Sequence, residues 1–192
     1  MQEGTLSKNL EFFPLTPQRW QDFVDLMGPK GACAGFWCMY WRLTRKEFQN
    51  SCGEANKLTM KKLVDTGVIP GIIGYQAGTP TVWCSIAPRE QFSALERSRL
   101  LKRMDQRQVW SIVCFFIAKA QRRSGLLREA ITSAVEYARQ QGATLVEAYP
   151  VKNLSKQSAV SLYMGTLNSF ISAGFSIIEE RRNHALVRFE IS

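Results

Sequence analysis

Histidine is almost absent from this chain, with one in 192 residues. A zinc site built on several imidazoles is therefore excluded, and any Ser–His or Cys–His couple would rest on His184 alone. His184 follows Arg181-Arg182-Asn183 at a turn and reads as structural or solvated. Long hydrophobic runs are also missing. No apolar stretch approaches the ~20 residues that span a bilayer, and the first eight residues lack the basic-then-apolar pattern of a secretory signal. Cysteines number five, an odd count that, without such a signal, favours reduced thiols in a cytoplasm. The Cys33-x-x-x-x-Cys38 spacing is wrong for a zinc knuckle, so no metal is expected. Internal repeats and low-complexity linkers are absent too. The expectation is a single domain over residues 1–192, with no membrane partner.

Charge is present in excess of one sign. Lys and Arg total 25 against 16 Asp and Glu, a net +9. The basic residues concentrate at Arg97, Arg99, Lys102, Arg103 and Arg107, and again at Lys119, Arg122, Arg123 and Arg128. Such a surface suits a phosphorylated ligand, an acidic partner or nucleic acid, or it is a solvated face that aids solubility. No helix-turn-helix spacing, aromatic RNA-binding strand or zinc finger accompanies it, so nucleic acid is the weaker alternative.

The residues between 109 and 150 carry the clearest pattern. An apolar run at 109–118 feeds the basic, glycine-containing turn Arg122-Arg123-Ser124-Gly125-Leu126-Leu127. Then Leu126, Leu127, Ala130, Ile131, Ala134, Val135 and Ala138 recur on one helical face, with charged and polar residues opposite. Gly142 marks the stop, and residues 143–149 read as a strand ended by Pro150. Strand, turn, helix and strand make one βαβ unit with a parallel pair. The N–H groups at a helix start are unpaired and the helix dipole favours anions there, so the turn points to a phosphate. Arg122 and Arg123 would add charge-assisted contacts.

At this point the chain resembles the GNAT superfamily of acetyl-CoA-dependent N-acyltransferases, whose strand leads into Gln/Arg-x-x-Gly-x-Gly/Ala and a helix. Here the motif reads Arg122-x-x-Gly125-x-Leu127. The family's later helix ending in Gly-Phe, followed by two strands, matches Ser169-Phe170-Ile171-Ser172-Ala173-Gly174-Phe175, then residues 176–181 and 185–191. The resemblance covers residues 70–192 well and 1–69 in outline.

The resemblance implies a mixed α/β fold: a mostly antiparallel central sheet with a splayed parallel pair and helices on both faces. It implies acetyl-CoA as co-substrate, held by the strand at Phe115, Phe116 and Ile117 and by the turn at Arg122, Arg123, Ser124, Gly125, Leu126 and Leu127. An amide near Ile117 would stabilise the oxyanion. The reaction implied is N-acetylation of a primary amine on a small molecule or peptide, by direct attack in a ternary complex, in a monomer or homodimer.

Three positions depart from the family pattern. Leu127 replaces Gly or Ala and can still offer its amide if its side chain turns into the core. Phe170 stands where many members have an acidic tyrosine, and Ser111 where some carry a carboxylate. Tyr163 becomes the candidate proton donor, and Glu147 a candidate base through a water. Tyr163 packing under a loop and Glu147 facing solvent are the competing readings. A non-catalytic acyl-CoA-binding or sensing domain is thus an alternative to the enzyme, and a basic nucleic-acid-binding module a weaker one.

The N-terminal third reads more coarsely. A strand at 10–15 precedes Thr16-Pro17, an N-cap and first-turn proline for a helix to about Met27. Glycine-rich 28–35 leads into Phe36-Trp37-Cys38-Met39-Tyr40-Trp41. Phe36, Trp37, Tyr40 and Trp41, with Arg42, could line an acceptor pocket; Trp37 and Trp41, four apart, could equally anchor core. Thr44 opens helix to about Thr66, breakable at Gly53. A hairpin is expected around Gly78-Thr79-Pro80, and residues 90–101 form a short helix or loop. Cys38, Cys84 and Cys114 are activated thiols on one reading and small buried hydrophobes on the other.

Overall fold

Glycine and proline punctuate the chain into short elements. The computed structural model describes residues 10–152 and 163–192; the N-terminal reading of the first eight residues, and Ser161 and Leu162 before Tyr163, lie outside them. Among the described residues seven strands form one sheet: β1 (Leu10–Pro14), β2 (Ile72–Gln76), β3 (Thr79–Pro88), β4 (Trp110–Ile117), β5 (Leu145–Ala148), β6 (Ser176–Arg181) and β7 (His184–Glu190), in the order β1-β2-β3-β4-β5-β7-β6. All neighbours run antiparallel except β4 and β5, which are parallel. The expected mixed, mostly antiparallel α/β sheet is what the chain forms.

The sheet has a core on each face. Against one lie α1 (Trp20–Met27), the aromatic loop, α3 (Glu54–Asp65) and α4 (Ser93–Arg97), burying Phe23, Trp37, Trp41, Met60, Val64 and Leu95. Against the other lie α5 (Leu126–Gln140) and α6 (Leu167–Ser172), with Leu126, Ala130, Ile131, Ala134, Ala138 and Phe170 inward. The face predicted for α5 is thus the face it buries. Coverage on both sides explains why every residue of β5 is buried instead of alternating.

Local chemistry sets several boundaries. The expected helix from Thr16 begins as a 3₁₀ turn, Pro17–Arg19, and becomes α-helical at Trp20. Thr16 makes no capping bond, and its hydroxyl is buried without a partner. Thr44, by contrast, caps α2 (Arg45–Asn50). Its hydroxyl accepts from the Glu47 amide at 3.2 Å, and the Glu47 carboxylate accepts from the Thr44 amide at 2.7 Å. Thr44→Ala should cost about 1 kcal/mol, read as a lower urea midpoint with unchanged slope. The break expected at Gly53 separates α2 from α3. A side chain at Gly35 would meet the Gly53 nitrogen at 2.3 Å, so the aromatic loop and the start of α3 can touch only because Gly35 has none.

The β2–β3 turn is Ala77-Gly78, not Gly78-Thr79-Pro80. Both turn residues have positive φ, 48° and 77°, as a two-residue hairpin turn of matching twist requires. Thr79 and Pro80 already belong to β3. Pro80 is tolerated beside the register shift at Gly74 and Tyr75, where the ladder is interrupted.

Candidate active site

The parallel pair is short. β4 and β5 register only through Trp110–Ile112 and Val146–Ala148, while β4 continues to Ile117 along β3. Residues 113–117 therefore have no strand on their β5 side among the described residues. The Ala118 amide donates to the Thr81 carbonyl at 2.9 Å. Since bonded and non-bonded pairs alternate along an antiparallel ladder, Phe116 and Cys114 bond to β3, and Phe115 and Ile117 turn their main chains to the open side. Phe116, expected to hold the co-substrate with them, spends its peptide groups on β3 opposite Trp83.

A register shift at Ser85/Ile86 leaves Val113 as an extra residue in β4. Val113 and Cys114 consequently both pack on the α1 face, while Ile112 and Phe115 pack on the α5 face. Phe170, fully buried, lies against Phe115 with ring centroids 6.1 Å apart and closes the α5 side of the opening.

The basic turn sits at the end of β4. Gly125 caps α5 at φ 89°, and Arg123 is also left-handed at φ 67°. A side chain at Gly125 would meet nothing within 4 Å, so the position demands glycine for its backbone angle and leaves the helix start open. Arg122 and Arg123 are exposed, Ser124 is half-buried and Leu126 buried. Leu127 packs against the α5-side core, which leaves its amide at the helix start. Ser124, Gly125, Arg128, Glu129 and Thr132 line an open concavity of about 500 Å³. The arrangement fits a pyrophosphate: the amides of a helix N-terminus with two exposed guanidinium groups beside them. Arg122 Nε presently donates to the Ile117 carbonyl at 3.2 Å.

Tyr163 packs on the α1-side core beside Cys38, Cys114 and Trp41. Burial pushes its phenol well above the ordinary tyrosine value, and Cys114 and Tyr40 add to the shift. It therefore stays protonated at neutral pH. The aromatic run divides. Trp37 and Trp41 are buried, Trp37 packing against Phe23 at 6.0 Å. Phe36 is half-buried against Phe48 at 4.9 Å. Tyr40 is 45% exposed and stands edge-on to Trp41 at 4.8 Å. Of the four, Tyr40 is the one with a broad face to solvent, and Tyr40 and Trp41 share the Tyr163 neighbourhood.

Glu147 faces neither solvent nor an open cleft. It is 1% exposed, and both its oxygens are taken. Arg89 Nη1 donates to Oε1 at 3.1 Å, the Tyr149 hydroxyl to Oε1 at 2.5 Å, and Arg188 Nε to Oε2 at 2.8 Å. Arg89 is fully buried and also donates to the Tyr149 hydroxyl, to Glu96 at 2.8 Å and to the Leu101 carbonyl at 2.7 Å. Arg188 reaches on to Asp105 at 2.6 Å, and the hydrogen bonds from Arg188 hold the Asp105 carboxyl below its usual value. Ser111 completes the cluster, 3.1 Å from the Tyr149 hydroxyl.

This network ties β5, β7, the segment 89–105 and β4 together where the parallel pair begins to part. Sequence reading missed Arg89, Arg188 and Asp105. The available signal was the Glu147/Tyr149 spacing, two residues apart and hence on one strand face.

The basic cluster at 97–107 is partly neutralised. Arg103 pairs with Glu90 and with Glu96 at 3.1 Å, and Arg107 with Glu190 at 2.7 Å. Among the described residues no group of three or more His, Cys, Asp and Glu could hold a metal, and no helix is long and apolar enough to cross a membrane.

A seven-stranded mixed sheet parted at its one parallel pair, with a basic helix-opening turn at the gap, defines the architectural class. No protein-family model matches the chain, and no curated protein matches it in sequence. Solved structures do. A GNAT-family acetyltransferase from Listeria monocytogenes is 13% identical with TM-score 0.57, the match covering 100% of this chain and 99% of that one. PaiA N-acetyltransferase from Thermoplasma acidophilum, solved with coenzyme A, is 8% identical with TM-score 0.54, covering 95% and 99%. YncA, a putative acetyltransferase from Salmonella typhimurium solved with acetyl-CoA, is 11% identical with TM-score 0.52, covering 95% and 94%. The chain has the GNAT acetyltransferase fold.

Proposed function

We propose that the protein is an N-acetyltransferase that moves an acetyl group from acetyl-CoA to a primary amine of a small molecule or peptide. The observation that carries this reading is the side of β4 that has no strand partner among the described residues, leading into the open N-terminus of α5. The main-chain groups of Phe115 and Ile117 bind the pantetheine arm as an added strand would. The amides of residues 125–127 and the guanidinium groups of Arg122 and Arg123 bind the pyrophosphate. Arg122 gives up its bond to the Ile117 carbonyl when the anion arrives.

The amine nitrogen attacks the thioester carbon from the α1 face, where Tyr40 and Trp41 flank Tyr163. The Ile117 amide stabilises the oxyanion, a contribution often worth several kcal/mol in acyl transfer. The carbon–sulfur bond breaks, the Tyr163 hydroxyl gives its proton to the departing thiolate, and the tyrosinate takes the proton that the attacking nitrogen sheds, so that amide, free thiol and neutral Tyr163 result. Holding both substrates in one cleft makes the attack effectively intramolecular. Glu147 takes no proton in this scheme. Its charge is spent on Arg89 and Arg188, and it positions the point where β4 and β5 part.

Tyr163→Phe should lower kcat by more than ~10²-fold with KM for acetyl-CoA little changed, measured by thiol release across a panel of amines. Near-wild-type turnover in a folded variant would remove Tyr163 from the chemistry. A non-catalytic acyl-CoA-binding domain is the second reading. It draws on Phe170 and Ser111, neither of which titrates, and predicts acetyl-CoA binding with no thiol release for any amine in the panel.

A further inference from the structure

We propose that Cys38 and Cys114 are an oxidative modification site and form a reversible disulfide that fastens the aromatic loop to β4. Their Sγ atoms lie 2.7 Å apart although the residues are separated by 76 positions in sequence. Both are buried on the α1 face, at 7% and 8% exposure. The two sulfurs need approach only from this distance to the ~2.05 Å of a bond.

The loop backbone points to the same pair. Trp37 and Cys38 are consecutive non-glycine residues with positive φ, 47° and 54°, and Ala32 and Ala34 share that sign. Such angles persist only where surrounding structure enforces them, and they cluster at sites of function. Here they deliver Cys38 onto Cys114. The Trp83 indole N–H donates to Cys38 Sγ at 3.2 Å and holds that sulfur in place beside Cys114. The contact with Cys38, and then burial, push the Cys114 thiol upward. Cys84 belongs to the core on the other face of the sheet, so it does not compete for this contact. Cys33 is half-buried, and Cys52 is exposed with its thiol donating to the Phe48 carbonyl at 3.4 Å.

The oxidant is a small peroxide, hydrogen peroxide. The Cys38 sulfur attacks one peroxide oxygen, the O–O bond breaks, and the sulfur becomes a sulfenic acid while the other oxygen takes the Cys38 thiol proton and leaves as water. Cys114 sulfur then attacks Cys38 Sγ. The S–S bond forms, the S–O bond breaks, and the departing hydroxide takes the Cys114 proton as a second water. Two thiols and one hydrogen peroxide give one disulfide and two waters, with two electrons passing from sulfur to peroxide. Dithiothreitol reverses the step by thiol–disulfide exchange.

The test treats the full chain with stoichiometric hydrogen peroxide, alkylates it in denaturant and maps peptides by mass spectrometry without reduction. The expected result is a linked pair containing Cys38 and Cys114, two hydrogens lighter than the free peptides and lost on adding dithiothreitol. The melting temperature should rise by about 8 °C on oxidation, because the bridge closes a long loop of the unfolded chain. Cys38→Ala should abolish the rise and Cys52→Ser should keep it. Full alkylation of Cys38 and Cys114 after peroxide, or a bridge between any other pair, overturns the proposal. Neither readout depends on acetyl-CoA, so failure here is distinct from failure of the acetyltransferase reading.

Discussion

Replacing Arg122 and Arg123 together by glutamate is expected to weaken acetyl-CoA binding by at least ~100-fold. Each guanidinium offers a charge-assisted bond to the pyrophosphate, worth about 1.5–3 kcal/mol, and reversal adds repulsion at a helix start that otherwise attracts anions. Both side chains are exposed. Arg122 donates to the Ile117 carbonyl and lies over the Phe116 ring, contacts at the surface end of β4. The variant should therefore melt within a few degrees of the parent, and calorimetric titration isolates the binding effect. Unchanged affinity with an intact fold would move the phosphate site away from this turn.

Glu147→Gln is the second large effect, and it should appear in stability. The substitution keeps shape and burial but removes the charge facing two arginines. Breaking a buried pair from one side costs about 3–5 kcal/mol. For a chain of this size that is a fall in melting temperature of about 10 °C. Arg188 retains Asp105 and Arg89 retains Glu96, which keeps the loss from being larger. A glutamate acting as the base for the amine would give the opposite pattern, with turnover abolished and the melting temperature unmoved.

The two variants mark how far the sequence could be read. The turn at 122–127 and α5 were legible because everything that defines them is local: an apolar strand, a glycine that must adopt positive φ, and one apolar helical face. Thr44 and Gly53 were legible for the same reason. Glu147 was not. Alternation offered it either solvent or the cleft, but β5 is covered on both faces, and its counter-charges come from residues 58 positions before and 41 after. Arg89 sits in a short turn whose composition suggests exposure, and only the convergence of Glu96, Glu147 and Leu101 makes its burial tolerable. Trp37 and Tyr40 belong to one aromatic run with no periodic face, so pattern could not separate the buried ring from the exposed one. Left-handed angles at residues 32, 34, 37 and 38 decide it, and non-glycine residues give no warning of such angles.

The departures from the family motif acquire physical meanings. Leu127 joins the core without obstructing the helix start. Ser111 is a hydrogen-bond partner of Tyr149, and Phe170 is a packing partner of Phe115. In the mechanism we propose, the acid is Tyr163, which packs on the opposite face of the sheet from Phe170.

The central claim is that the open side of β4 and the N-terminus of α5 bind acetyl-CoA. Calorimetric titration of acetyl-CoA into the unaltered protein tests it most directly. The account predicts saturable binding of one molecule per chain with a dissociation constant in the micromolar range, about −8 kcal/mol. Absence of binding at millimolar acetyl-CoA would contradict it.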